Sequence, residues 1–292
     1  MAERRINPFQ PSTSPWDDSF TASGSRGTII FPSAVPPNAS PMVPVVKQTG
    51  FNIAGVNSPP ASPSYWEATV IQIPFDSYSS GTIEIRDQRF NLAGNVGGTS
   101  RSSISTAAFR FGGASLYVDG GSVSYGGARF STNTLFDLGA SDFTIEGWVK
   151  SSQVGQYACL ACRTNNDGAV TGWRIQMNLS TTSDGKIGFL LAEYSTSAYF
   201  LTGTVKHNDN IWHHVAVTRL GTTWSLYVDG IREATAILSA TMVSSGTDLA
   251  FGGGTGFAQT LNGYLDEWRI VRGVCVYSGA SFAVPTVPFP TT

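Results

Sequence analysis

His213 and His214 are adjacent, and His207 is the only other histidine in the chain. Imidazole serves as base, acid or metal ligand near neutral pH, so the pair invites a catalytic or metal reading. It lies in Ile211-Trp-His-His-Val-Ala-Val-Thr-Arg219, whose alternation predicts a strand. Neighbouring strand residues point to opposite faces, so these two rings cannot chelate one ion together. The expectation is one ring in the core and one outside. Cys159-Leu-Ala-Cys162 has the spacing of a redox or half-zinc motif. Three cysteines make an odd set for a disulfide framework, and no second pair or helix pattern accompanies this one. The two are read as small hydrophobes on a strand. Glu84-Ile-Arg-Asp87 places its two carboxylates on opposite faces of a strand, so they do not converge as acid and nucleophile. No G-x-S-x-G elbow occurs. Gly252-Gly-Gly-Thr-Gly256 lacks a following Lys-Ser/Thr and a helix, which makes it a loop between strands rather than a phosphate cradle. An enzyme is not expected.

The elements that must carry these residues are strands. Alternating runs over 68–75, 81–87, 115–118, 143–150, 157–163, 173–179, 186–193, 211–219, 223–228, 247–251 and 261–271 predict eleven, separated by Gly, Asn, Asp and Ser turns. In the run from Phe143 to Lys150 one face carries Phe143, Ile145, Gly147 and Val149, and the other Thr144, Glu146, Trp148 and Lys150. The predicted core includes Phe143, Ile145, Val149, Val215, Val217, Leu226 and Val228. Leu-Tyr-Val-Asp-Gly occurs twice, at 116–120 and 226–230, without wider similarity around the copies. These are two strands ending in the same kind of tight turn, not a tandem repeat.

Composition bounds the function classes. The chain has 292 residues, 32 glycines and 12% aromatics, with charged residues at only 13% and a net charge of −2. That profile belongs to a turn-rich all-β protein and gives no electrostatic footing for nucleic acid. No run of about 18 apolar residues suggests a membrane span. The first twenty residues lack a signal-peptide core, so synthesis and assembly in the cytoplasm are expected. Residues 1–66 hold eleven of the fifteen prolines. Proline donates no ladder hydrogen bond and breaks helices, so this segment reads as an extended arm before a domain over 67–292.

The hairpin around Trp212-His-His-Val-Ala216 and Leu226-Tyr-Val-Asp-Gly230 resembles the central hairpin of laminin-G-like/concanavalin-A-like domains. Four further blocks follow the order seen in such domains of bacteriophage structural proteins: Ile73-Pro-Phe-Asp76, Phe111 to Gly120, Phe136 to Val149, and Gly263-Tyr-Leu-Asp-Glu-Trp-Arg-Ile-Val-Arg-Gly273. The stretch from Val276 to Pro290 is similar to the tail those domains share. The resemblance implies an all-β, antiparallel two-sheet jelly-roll sandwich preceded by the Pro-rich arm. It also implies rim calcium, with Asp76 and Asp266 at the matching positions of blocks on neighbouring strands. Asp266-Glu267 has a plain alternative reading, as a turn-capping Asp and a solvent-facing Glu. Laminarinase-type glycosidases of this fold carry an E-x-D-x-x-E strand, which is missing here. For sugar binding, Trp173, Tyr194, Tyr199 and Phe257 lie near loops and could stack on pyranose rings. The expected function is a phage virion structural protein. Residues 1–66 would anchor it to capsid or tail subunits, and the sandwich would decorate the head or a tail appendage and touch host glycans weakly. The alternative is a free carbohydrate-binding lectin or adhesin. Oligomers are compatible with either.

Overall fold

The computed structural model describes residues 65–76, 84–97, 101–120, 126–164, 172–178, 185–192, 199–242, 246–254 and 259–292, without the side chains of 192, 199 and 200. Residues 1–64 of the expected arm, together with Tyr194 and Phe257, lie outside the described residues.

Sixteen strands are present among the described residues. They are β1 (Thr69–Ile73), β2 (Glu84–Arg86), β3 (Ala93–Val96), β4 (Ser102–Ser105), β5 (Ser115–Asp119), β6 (Ala128–Phe130), β7 (Phe143–Ser151) and β8 (Ala158–Thr164), then β9 (Gly172–Met177), β10 (Ile187–Ala192), β11 (Tyr199–Thr202), β12 (Trp212–Leu220), β13 (Thr223–Val228), β14 (Ile231–Ile237), β15 (Leu249–Phe251) and β16 (Asn262–Arg272). Eleven match the predicted runs. The additional five, β3, β4, β6, β11 and β14, are held by backbone pairing rather than marked by an apolar pattern. β4 reads Ser-Ser-Ile-Ser, and β14 is an edge strand with no clean alternation of burial.

The strands form two antiparallel eight-stranded sheets. One runs β14-β13-β12-β7-β16-β5-β4 with β1 also on β16; the other runs β11-β10-β9-β8-β15-β6-β3-β2. Every predicted core residue is buried, including Phe143, Ile145, Val215 and Leu226. Gly147 on the inner face of β7 has a packing reason. A Cβ there would lie 2.3 Å from the Trp268 ring, which fills the space between the sheets.

The outer face of β7 is not solvated. Glu146 there is fully buried, accepting hydrogen bonds from Arg269 on β16 (2.8 Å from Nε) and from the Tyr277 hydroxyl (2.8 Å). His214 Nε2 on β12 lies 3.1 Å from the same carboxylate. The C-terminal segment supplies the cover. Tyr277 stacks on Phe282 with ring centroids 3.5 Å apart, and Phe289 lies under the Arg269 guanidinium at 3.9 Å. Both histidines of the pair are therefore inside, His213 at 4% and His214 at 0% exposure, which corrects the expectation of one ring outside. A strand pattern reports which faces alternate; it does not report that a distant segment folds back over the outer one.

Cys159 and Cys162 are buried on β8 and are not joined in a disulfide, as the bland reading expected. A register shift between Cys159 and Ala161 brings both into one small apolar cluster with Ala250.

Burial alone would raise the Glu146 carboxyl, but Arg269, with His214 and Tyr277, outweighs it and holds the group down at about 2. A carboxyl lowered on folding stabilises above its ordinary value near 4.5 and loses that contribution as pH falls toward 2. Glu146→Gln leaves Arg269 buried without its counter-charge. It is expected to cost about 3 kcal/mol at pH 7 in urea unfolding. The variant should also lose less stability than the wild type between pH 4.5 and pH 2.

Candidate metal and ligand site

The site begins with an irregularity in β16. On β7 the register moves from Trp148 to Glu146, two residues, while on β16 it moves from Asp266 to Arg269, three. One extra residue is accommodated as a β-bulge, and Glu267 takes it up with φ 47°. The bulge also marks where the other edge of β16 changes partner. β5 pairs as far as Leu265↔Leu116, and β1 begins at Ile73↔Trp268. Asp266 and Glu267 therefore face a gap between two strands, into which the chain after β1 and the chain before β5 both lead.

Those two segments meet there. Asp266 Oδ2 accepts from the Arg110 N–H at 2.6 Å and the Phe111 N–H at 3.1 Å. Asp266 Oδ1 accepts from the Glu267 N–H at 2.9 Å. The Asp76 carboxylate accepts from the Ala114 N–H and lies against Gly112. A Cβ on Gly112 would fall 1.8 Å from Asp76 Oδ1, and its φ of +66° is a second reason for glycine. The Arg110 guanidinium covers the Trp148 ring at 4.2 Å, and Phe111 meets the same ring edge-on at 5.9 Å, which fixes this loop on the sheet.

Asp76, Asp266 and Glu267 are thus near enough to repel one another. Burial pushes Asp266 up to about 8 against the Arg110 and Phe111 N–H bonds, with repulsion from Glu267 and Asp76 adding to it. Burial likewise pushes Glu267 to about 7; repulsion from Asp76 adds to this, and the Phe289 N–H and Arg269 oppose it. Burial also raises Asp76, against the Ala114 N–H. Asp76 Oδ1 is buried with no hydrogen-bond partner among the described residues. An oxygen-only donor set, mutual repulsion and an orphaned carboxylate oxygen all fit a hard divalent cation such as calcium. Asp76 and Asp266 would hold it, with Glu267 beside them. The ion would supply positive charge to the crowded carboxylates and join the loop before β5 to the end of β1 and the bulge in β16. Glu267 is buried rather than solvent-facing, a correction to the plain reading of Asp266-Glu267. A bulge in mid-strand has no apolar signature, so the pattern alone kept Glu267 on the outer face.

Beside Asp76 opens a cleft of about 550 Å³, whose lining includes Pro74, Asp76, Glu84, Arg86, Gln88 and Asn91. Its walls present carboxylate, guanidinium and amide groups, the partners that sugar hydroxyls take. Phe90, between two lining residues in sequence, is 44% exposed. Of the aromatics expected to stack on sugar, Trp173 is in the core at 3% exposure, so its ring offers no open face. Tyr199 lies in β11, while Tyr194 and Phe257 fall outside the described residues. The sequence reading missed Glu267, the backbone donors of 110–114 and the cleft. The clue to Glu267 was Asp266-Glu267 inside an otherwise apolar strand pattern.

A carboxyl raised on folding binds more protons in the native than in the unfolded state between its two pKa values, so its contribution falls as pH rises through that window. For Asp266 and Glu267 the window runs from about 4 to about 8. In EDTA the two carboxyls should lower stability across it, and calcium should offset this. The melting increment given by calcium is therefore expected to be larger at pH 8 than at pH 5. It should vanish in the Asp76→Ala/Asp266→Ala double variant, as read by differential scanning fluorimetry.

Among solved structures, the fold is similar to the binding domain of Paraclostridial Mosquitocidal Protein 1 (TM-score 0.54, 16% identity, 73% of this chain and 51% of that chain). It is similar also to the binding domain of Botulinum Neurotoxin DC in complex with SialylT (TM-score 0.53, 15% identity, 73% of this chain and 50% of that chain). A third is domain 4 of AbnA, a GH43 extracellular arabinanase from Geobacillus stearothermophilus, in complex with arabinotriose (TM-score 0.52, 15% identity, 71% of this chain and 93% of that chain). The chain thus spans about half the length of the first two. At these identities the likeness is one of fold. A comparison with curated protein sequences finds no match. Residues 119–275 match the family described as the concanavalin A-like lectin/glucanases superfamily. That stretch is more than half of the chain and takes in the strands from the end of β5 through β16, and the protein belongs to this superfamily.

Proposed function

We propose that the sandwich is a calcium-dependent carbohydrate-binding module without catalytic activity. The observation that carries this reading is the acidic rim of Asp76, Asp266 and Glu267 opening beside a polar cleft, on a fold of the lectin and glucanase superfamily. Calcium at the rim would fix the chain around Asp76, which forms one wall of the cleft. Arg86, Gln88, Asn91 and Glu84 would then meet sugar hydroxyls, and Phe90 would offer a ring face. Two of the similar solved domains were determined with SialylT and arabinotriose, which supports the reading. Glu84 and Asp87 give no converging pair for glycoside cleavage. Asp87 is instead spent on the backbone, accepting from the N–H groups of Gln72, Arg89 and Phe90.

A second reading concerns where such a module works. The five sequence blocks shared with bacteriophage structural domains, and the eleven prolines in residues 1–66, support a virion component. The arm would bind neighbouring virion subunits and the sandwich would face the host surface. A free lectin needs no such anchor. Deletion of residues 1–60 separates the two: the virion reading expects assembly to be lost with glycan binding kept.

The full-length protein on a glycan array is expected to bind a restricted set of saccharides in calcium buffer. Signal should fall to background in EDTA and in Asp76→Ala. An array without signal in either buffer would remove the carbohydrate reading. Release of reducing ends from a bound polysaccharide would replace it with an enzymatic one.

A further inference from the structure

A second cluster of titratable side chains lies apart from the acidic rim. His207 and Asp209 are in the segment between β11 and β12, His213 is in β12, Asp229 is in the turn between β13 and β14, and Glu233 is in β14. The His207 and His213 rings meet edge-on with centroids 4.7 Å apart. His207, His213 and Asp229 each place a ligand atom within 4.8 Å of the other two. The described residues offer no other such trio of histidine, cysteine and carboxylate ligands.

We propose that His207, His213 and Asp229 bind a divalent transition-metal ion of the zinc class, with Asp209 and Glu233 orienting the two imidazoles. Two imidazoles and one carboxylate suit zinc and its neighbours, whereas calcium takes oxygen ligands. This separates the site chemically from the acidic rim. Each ring already has one nitrogen held by a carboxylate. His207 Nε2 lies 2.6 Å from Glu233 Oε1, and His213 Nε2 lies 2.8 Å from Asp209 Oδ1. A carboxylate on the far nitrogen is the usual support of a ligating histidine, because it fixes the tautomer and the ring plane. That arrangement leaves Nδ1 of both rings for the ion. His213 Nδ1 faces Asp229 Oδ2 at 2.7 Å, and the ion would enter between them in place of the shared proton.

The frame around the ligands is built. Glu233 Oε2 accepts from the Thr204 and Val205 N–H groups, and Asp229 Oδ1 accepts from the His214 N–H. Asp229 holds φ 49°, a backbone geometry that turns its carboxylate back toward β12. His207 is tied to the segment before β10 by its N–H to the Gly185 carbonyl at 2.8 Å. Ligand atoms around tetrahedral zinc stand about 3.3 Å apart, so collecting atoms now within 4.8 Å takes movements on the order of 1 Å. Entry is open, since the Asp209 and Asp229 side chains are 53% and 44% exposed. With three protein ligands, a fourth position is left for water or for an oxygen of a bound molecule.

The test uses the untagged full-length protein, stripped with EDTA, dialysed, and held in excess calcium to occupy oxygen-only sites. Titration calorimetry with zinc chloride is expected to give one ion per chain. His207→Gln and Asp229→Asn should each weaken binding about 10-fold or more. Cobalt chloride added to the wild type should give visible d–d bands without a thiolate charge-transfer band, which needs no variant to fold. Three results would each overturn the proposal: no zinc uptake by the wild type, unchanged affinity in both variants with folded circular dichroism spectra, or a thiolate band that assigns the metal to cysteine.

Discussion

The ion pair between Glu146 and Arg269 sets the geometry on which the rest of this protein depends. Glu146 sits on the outer face of β7, near the middle of its sheet, and is fully buried. A lone carboxylate there would be prohibitive to desolvate. Arg269 from β16, His214 from β12 and Tyr277 from the C-terminal segment close around it, so one side chain ties three elements to β7. The pair also fixes the phase of β16. Arg269 must face outward to reach Glu146, while Leu265, Trp268 and Ile270 must all face the core. Regular alternation cannot satisfy both demands across 265–270, and the bulge at Glu267 is what reconciles them.

From that reconciliation the candidate site follows. The bulge coincides with the change of partner from β5 to β1, and it leaves Asp266 and Glu267 facing a gap that Asp76 and the 110–114 loop fill. The protein thus accepts a left-handed residue and three crowded carboxyls at one place. Strain and unfavourable charge of this kind persist only where surrounding structure enforces them, and they concentrate where ligands bind. A cation there would relieve the charge, and the cleft beside Asp76 offers hydrogen-bonding groups.

Much of this was legible in the sequence, for reasons that differ by residue. The core positions of β7, β12 and β13 were readable because a period of two with one apolar face has few alternative meanings. Asp76 and Asp266 could be paired through the family resemblance, and β1 does lie beside β16. The burial of both His213 and His214 was not legible, because it depends on residues 274–290 returning over the sheet. Nor was the meeting of His207 with His213, six residues apart in sequence, which needs the segment after β11 to double back on the start of β12. Trp173 lies near a loop in sequence, at the start of the predicted run 173–179. It proved to be core because β9 pairs on both sides, with β8 and β10.

If the bulge beside the Glu146–Arg269 pair builds a calcium site, Asp76 and Asp266 hold the ion together. A crystal grown in calcium chloride, with anomalous difference density collected at long wavelength, would locate the ion. One anomalous peak is expected, with oxygens of both Asp76 and Asp266 at about 2.3–2.6 Å. Well-ordered density with no peak at that rim, or a peak bound by neither aspartate, would contradict it.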